Sequence, residues 1–328
     1  MALLELEPIV ERQVEADLEL EVSRRWLAAD GVVALELRSA EGHLLPEWAP
    51  GAHIDILLPD GSARQYSLCG DPADRMAWRV GVLREAEGRG GSRWLHDDIR
   101  AGDQLNVRGP RNHFSFDAAT DYLFIAGGIG VTPLLPMVAA AEAAGASYRF
   151  IYGGRSLNTM GFQDELARFG DKVEYCPESV TGILDLDELL STPKPGTLVY
   201  TCGPGGLLDA IEARASHWPP GSVRMERFSP RTPVRREGGD TEFEVELARS
   251  GRILTVPADR SLLDILEEAG TDVVSSCAEG TCGSCITTLL AGEADHRDSV
   301  LTGIERAAGD QIVVCVSRCL GKRLTLDL

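Results

Sequence analysis

At 328 residues, with 44% hydrophobic and 25% charged side chains, the chain has room for two or three domains and an ordinary globular composition. A formal net charge of −19 argues against a nucleic-acid partner, which attracts basic surfaces. No apolar run approaches the ~20 residues of a membrane-spanning helix. Glu5, Glu7 and Glu11, with no basic stretch, give no sign of a signal peptide, so a reducing cytoplasm is the expected compartment.

From Val14 to about Asp117 the chain reads as short strands with turns between them, the pattern of a small antiparallel barrel. Val32–Leu37, Ile54–Leu58, Arg64–Leu68 and Trp78–Leu83 are predicted strands, with Pro59-Asp60-Gly61 a turn. On an extended strand Arg64 and Tyr66 project to the same face. An arginine beside an aromatic ring binds phosphate and packs a planar ligand. Gly88-Arg89-Gly90-Gly91-Ser92 runs into a predicted helix at Arg93–Asp97, and a glycine-rich turn at a helix N-terminus offers free N–H groups to phosphate.

The middle third alternates strands and helices, which predicts a parallel sheet covered on both faces, with ligands at the strand C-terminal ends. Tyr122–Ala126 is a buried strand, Gly127-Gly128-Ile129-Gly130-Val131-Thr132-Pro133 a glycine turn, and Leu134–Ala144 a helix. The spacing is not Gly-x-Gly-x-x-Gly, so the usual dinucleotide fingerprint is absent. Tyr148–Tyr152 ends at Gly153-Gly154-Arg155-Ser156; Lys172–Cys176 is a further strand. Thr197–Thr201 ends at Cys202-Gly203-Pro204-Gly205-Gly206, before a helix through Ala215, and Glu226-Arg227-Phe228 closes the unit. Ser229–Asp240, rich in Pro, Gly and charge, reads as a linker.

In the last third, Thr241–Leu247 and Arg252–Val256 form a predicted hairpin, and Ser261–Gly270 a helix with a serine cap and a C-terminal glycine. Cys277, Cys282 and Cys285 then stand at Cys-x4-Cys-x2-Cys spacing, with Cys315 after 29 intervening residues. This is the plant-type spacing for four thiolates around a 2Fe–2S cluster. The small Ala278, Gly280, Gly283 and Ser284 let backbone N–H groups approach its sulfurs. A zinc ribbon would show two Cys-x2-Cys pairs, and only one is present; a disulfide would need an oxidising compartment. From Asp240 onward 8 Lys and Arg stand against 16 Asp and Glu, a net of −8, which suits docking to a basic patch on a protein partner. Cys319 is one cysteine more than the cluster needs, and the six histidines show no paired metal spacing.

These motifs together resemble the ferredoxin–NADP reductase superfamily over nearly the whole chain, and within it the FMN-binding phthalate dioxygenase reductase family. Arg64-x-Tyr66-Ser67-Leu68 with Gly90-Gly91-Ser92 resembles the flavin site, implying that these residues hold FMN, with Gly81–Arg84 beside the ring. Ala126-Gly127-Gly128-Ile129-Gly130-Val131-Thr132-Pro133 and Tyr200-Thr201-Cys202-Gly203-Pro204 resemble the pyridine-nucleotide motifs. The resemblance places Gly127, Gly128, Gly130, Thr132, Gly203 and Pro204 on the nucleotide and gives Cys202 a catalytic place beside the nicotinamide. It also suggests Phe228 as the aromatic cover of the flavin. Beyond the second strand Arg155 and Ser156 are the cation and hydroxyl that could meet the 2′-phosphate of NADPH, whereas the FMN-binding family implies NADH.

The implied fold is multidomain. It comprises an antiparallel β-barrel flavin domain (1–118), an α/β parallel-sheet NAD(P)H domain (119–228), a linker (229–240) and a β-grasp plant-type ferredoxin domain (241–328). Hydride transfer moves two electrons and an iron–sulfur cluster takes one, so a flavin between them makes the order a complete converter. The resemblance implies the reductase component of a Rieske non-haem iron oxygenase system. The alternatives are a reductase serving a cytochrome P450, a redox sensor built on the same cluster, and a zinc-stabilised binding protein.

Overall fold

The computed structural model describes residues 15–231 and 239–328. Most of the expected linker, 232–238, and the acidic N-terminal stretch, 1–14, lie outside the described residues.

Six strands build the first sheet: β1 (Ala16–Ala29), β2 (Val32–Arg38), β3 (Ala52–Leu57), β4 (Ala63–Ser67), β5 (Trp78–Leu83) and β6 (Gln104–Asn112). They run in the order β4-β3-β6-β1-β2-β5, every pairing antiparallel. A bridge from Leu68 to Val80 joins the two ends and closes the barrel. Alternation drives the closure. Ile54 and Ile56 of β3 and Val80 and Val82 of β5 fill one interior with Leu20, Leu35 and Trp78. Helix α1 (Gly91–Asp97) covers one end through the buried Leu95.

The second sheet is parallel throughout: β11 (Val223–Glu226), β10 (Thr197–Cys202), β7 (Asp121–Gly127), β8 (Ser147–Gly154) and β9 (Val173–Pro177), in that order. Period two along β7 shows why both faces are covered. Tyr122, Phe124 and Ala126 pack with helix α2 (Val131–Ala143) and with Val32, Ala34 and Phe114 of the barrel unit. Leu123 and Ile125 face the opposite core, shared with Leu186, Leu190 and Ile211. Two one-turn helices, α3 (Gln163–Leu166) and α4 (Glu178–Thr181), precede α5 (Leu186–Leu190) and α6 (Gly205–Arg214). Helix α2 begins three residues earlier than expected, because Pro133 sits in its first turn, where the missing N–H has no helical acceptor to lose.

The third unit holds β12 (Phe243–Leu247), β13 (Arg252–Val256), β14 (Ile286–Ala291), β16 (Gln311–Val313) and β18 (Arg323–Leu326), ordered β13-β12-β18-β14-β16, and a separate pair β15 (Ala294–Asp295) with β17 (Arg318–Cys319). Helix α7 (Leu262–Glu268) packs Leu262, Leu263 and Leu266 on this sheet, and α8 (Gly303–Ala308) precedes β16. The cap of α7 is as expected: Ser261 Oγ accepts from Asp264 N at 3.0 Å, and Gly270 follows with φ 72°. No helix among the described residues is long and apolar enough to cross a membrane.

Barrel and parallel sheet meet without a gap. A Cβ on Gly81 would stand 2.8 Å from Thr132 Cγ2 and 2.9 Å from the Phe162 ring. Gly81→Ala should therefore cost about 1–3 kcal/mol of stability by overpacking, read as a lower midpoint in thermal denaturation. An unchanged midpoint would contradict the close approach.

Candidate functional site

One cavity of about 340 Å³ opens where the three sheets converge, a volume within the range of small-molecule sites. Its walls are Arg64, Gln65, Tyr66 and Ser67 of β4 with Gly81 and Leu83 of β5. Across from them lie Ile129 and Thr132 at the start of α2, and Glu226, the last residue of β11, with Arg227 to Pro230 after it. The third side is Glu279, Thr281 and Cys282 of the cysteine loop.

At one end the walls are cationic and glycine-rich. Arg64 Nη1 donates to Ala63 O at 2.7 Å, which holds the side chain across the opening of α1. A Cβ on Gly91 would lie 2.8 Å from Arg64 Cγ, so only glycine lets the helix start pass under the arginine. Gly90 takes the left-handed conformation at φ 95°, and Ser92 Oγ accepts from Glu85 N at 3.1 Å. The first-turn N–H groups of α1 have no helical acceptors. Burial pushes the Tyr66 phenol far up, so it stays protonated. Leu68 departs from expectation: it does not line the cavity but fills the barrel core, because β4 ends at Ser67 and the next residue bridges to β5.

On the nucleotide side the glycines serve packing between loops. A Cβ on Gly130 would lie 2.2 Å from Cys202 O, and one on Gly127 2.7 Å from Pro204 Cδ. Gly127, Gly130, Gly203 and Pro204 thus interlock two turns outside the cavity wall; Gly128 between them takes φ 55° with open space around it, and Thr132 reaches the wall. Cys202 is fully buried, and burial with the neighbouring Glu226 charge pushes its thiol up. Arg155 is exposed at the end of β8, outside the wall; Phe228 is in it and 43% exposed.

Glu226 was missed from sequence. It pairs in register with Cys202, partly open to the cavity, and accepts from Ser67 Oγ at 3.4 Å. Burial pushes its carboxyl up to about 8, so it carries a proton at neutral pH. The available signal was an acidic residue at the C-terminal end of a parallel strand, where ligands bind. His53 was missed too. It lines the cavity, is 5% exposed, and its Nε2 has no partner; burial, with Arg111 beside it, lowers it to about 3.

The third side gathers Cys277, Cys282, Cys285 and Cys315, all buried. Hydrogen bonds from Cys282 and Cys315 hold the Cys277 thiol far down, and Cys315 does the same for Cys285. Glu279 N donates to Cys277 Sγ at 3.3 Å, and Cys282 Sγ lies 3.1 Å from Ser284 Oγ. Gly280 has φ 72°, and a Cβ there would meet Val316 Cγ2 at 2.6 Å; one on Gly283 would meet the His113 ring at 2.5 Å. This tight, N–H-lined cradle fits a 2Fe–2S cluster. Cys319 lies buried in β17 within the ferredoxin core.

Comparison with known proteins gives a consistent result. The model of the 2Fe-2S iron-sulfur cluster binding domain matches residues 245–320. Phthalate dioxygenase reductase of Burkholderia cepacia is 40% identical over 96% of this chain and 99% of its own length. A solved phthalate dioxygenase reductase, described as a modular structure for electron transfer from pyridine nucleotides to [2Fe-2S], superposes with a TM-score of 0.69 at 39% identity, covering 95% of this chain and 98% of that one. An intact type IV self-sufficient cytochrome P450 monooxygenase superposes with a TM-score of 0.89 at 43% identity over 95% of this chain; the chain spans 41% of that structure.

The raised carboxyl of Glu226 sets a pH signature. Below the ordinary carboxylate value of 4.5 the group is protonated both folded and unfolded. Above it the unfolded chain ionises first, so its stabilising contribution declines with rising pH and is lost past about 8. Glu226→Gln removes that titration. Relative to the unsubstituted protein, the variant should gain stability steadily between pH 5 and 8 and then level off. Parallel melting curves across that range would refute the assignment.

Proposed function

The chain belongs to the phthalate dioxygenase reductase family, and from that premise we propose that its three units pass electrons from NADH through FMN to a 2Fe–2S cluster and on to a Rieske non-haem iron oxygenase. The observation that carries this reading is the single cavity walled by β4, by Glu226 of the parallel sheet and by Cys282 of the cysteine loop. A hydride donor, a flavin and a cluster gain nothing from one fold unless their sites adjoin.

The FMN unit runs to residue 118, the nucleotide unit over 119–228 and the ferredoxin unit over 241–328. Arg64, Gly90, Gly91 and Ser92 take the FMN phosphate by charge and backbone N–H groups. Tyr66 and Phe228 pack on the ring system, and Ser67 with Gly81 leaves room at its edge. The interlocked turns at Gly127–Gly130 and Cys202–Pro204 take the nucleotide, with Thr132 at their inner side and Arg155 outside. Cys202 backs the reacting position as a neutral thiol. Protonated Glu226 beside Ser67 places a donor there without adding negative charge. FMN held by Arg64, Tyr66 and the Gly90–Ser92 turn would supply the exchange between a two-electron hydride donor and a one-electron cluster. Cys277, Cys282, Cys285 and Cys315 hold the cluster at the end of the same cavity.

A reductase for a cytochrome P450 is the second reading, favoured by the close superposition on the self-sufficient P450 structure. A redox sensor would not turn over rapidly with NADH and an artificial acceptor. The cytoplasm is the proposed compartment.

Anaerobic NADH added to the purified holoprotein should bleach the flavin and iron–sulfur bands together; persistence of the iron–sulfur bands would break the proposed path. Mixing the reduced protein with a Rieske oxygenase or with a P450 then separates the two partners by which acceptor it reduces. Cys285→Ser should abolish cluster-dependent output while NADH oxidation with a direct flavin acceptor continues; joint loss in a folded protein would refute the division of labour. Arg64→Ala removes a charged phosphate contact and should weaken FMN retention roughly tenfold or more. Unchanged flavin content after gel filtration would count against that pocket.

A further inference from the structure

We propose that Asp55, Gln65 and Ser276 are positioning residues, a latch that fixes the cluster loop against the flavin strand. The inference rests on reading the cavity as a flavin-to-cluster path. Its geometry begins with strand register. Asp55 stands directly opposite Gln65 in the β3–β4 ladder, so their side chains share a face, and Gln65 Nε2 donates to Asp55 Oδ1 at 2.7 Å. From the ferredoxin unit, Ser276 Oγ donates to Asp55 Oδ2 at 2.7 Å and accepts from Gln65 Nε2 at 2.9 Å. The three groups close a triangle across 221 residues of sequence. Arg111 Nη2, 2.5 Å from Asp55 Oδ2, supplies the counter-charge.

Position gives this triangle its purpose. Gln65 lies between Arg64 and Tyr66, the residues proposed to grip FMN, and Ser276 immediately precedes the cluster ligand Cys277. One rigid strand therefore carries the flavin contacts and the anchor of the cluster loop. The separation of the two redox sites is set within it rather than through the linker.

Burial decides which interdomain contact governs. Arg89 and Glu279 also join the phosphate loop to the cluster loop, at 2.9 Å, but their side chains are 52% and 33% exposed, and such pairs contribute little. Asp55 has no exposed surface. A desolvated carboxylate is costly to leave short of a partner, so loss of the Ser276 hydroxyl penalises the docked arrangement specifically.

Ser276→Ala in the fully loaded protein tests the latch, with Ser276→Thr as the rescue that keeps the hydroxyl. With anaerobic NADH in stopped flow, flavin bleaching in Ser276→Ala should keep its rate, while cluster bleaching slows on the order of tenfold. Amide hydrogen exchange should rise together in β4 and in 277–283, and Ser276→Thr should restore both readouts. Gln65→Leu should raise exchange in the same two segments from the barrel side. Unchanged exchange and unchanged cluster bleaching in loaded Ser276→Ala would overturn the proposal. So would loss of cluster iron that accompanies any slowing, since the hydroxyl would then serve the cluster itself. Failure of NADH to bleach flavin in the unsubstituted protein would instead sink the electron-path reading, and the exchange comparison would still decide the latch.

Discussion

Antiparallel pairing of β3 with β4 sets Ile54 opposite Tyr66 and Asp55 opposite Gln65, and because strand side chains alternate, two surfaces come off one ladder. One surface carries the apolar barrel interior and the ring of Tyr66. The other carries polar groups turned toward the remaining units: His53, Asp55, Gln65 and Ser67. A slip of one residue in this register would exchange them. It would bury carboxylate and imidazole in a hydrocarbon core and strip the cavity of its polar wall. The apolar content of that core, from Leu20 to Val107, therefore fixes the chemistry of the site as much as the stability of the barrel.

The same logic holds at the meeting of the sheets. Gly81, Gly127, Gly130 and Gly283 are each pressed by another segment closely enough that a methyl group would collide. At Gly81 and Gly283 side chains of a neighbouring unit, Thr132 and Phe162 in one case and the His113 ring in the other, press directly on the backbone, while Gly127 and Gly130 let the two nucleotide-side turns interlock. Close approach suits redox sites, which need short separations, and it makes the walls of the cavity stiff. Charge follows burial in this stiff frame. Glu226 keeps its proton and Cys202 stays a thiol, so neither adds negative charge to the nucleotide side of the cavity at neutral pH.

What could be read from sequence was whatever is local. The four cysteines announce themselves by spacing, and the serine cap of α7 and the glycine after it mark that helix on both sides. Arg64 with Tyr66 on one strand, and Gly91-Ser92 opening α1, were also legible, because each is a short pattern with a mechanism. The start of α2 was misplaced because Val131, Thr132 and Pro133 read as part of the glycine turn, although proline is at home in a first turn. Leu68 belonged by pattern to the flavin motif, but strand alternation and the bridge to Val80 send it inward. Glu226, His53 and the Asp55–Gln65–Ser276 triangle were out of reach. Their meaning comes from partners scores of residues away, and nothing in Gln65 as a letter distinguishes it from a solvent-facing glutamine.

The Asp55–Gln65–Ser276 triangle bears on how such chains can be recombined. Ferredoxin units of this kind look interchangeable, since each has its own core and follows a linker. Yet Ser276 belongs to the last unit, and Asp55 and Gln65 to the first. A chimaera joining this barrel to a foreign ferredoxin unit without a hydroxyl at that place would leave the buried Asp55 one donor short. Successful grafts must therefore carry a hydroxyl across with the cysteines, and the boundary that matters for exchange runs through a side-chain contact rather than along the linker.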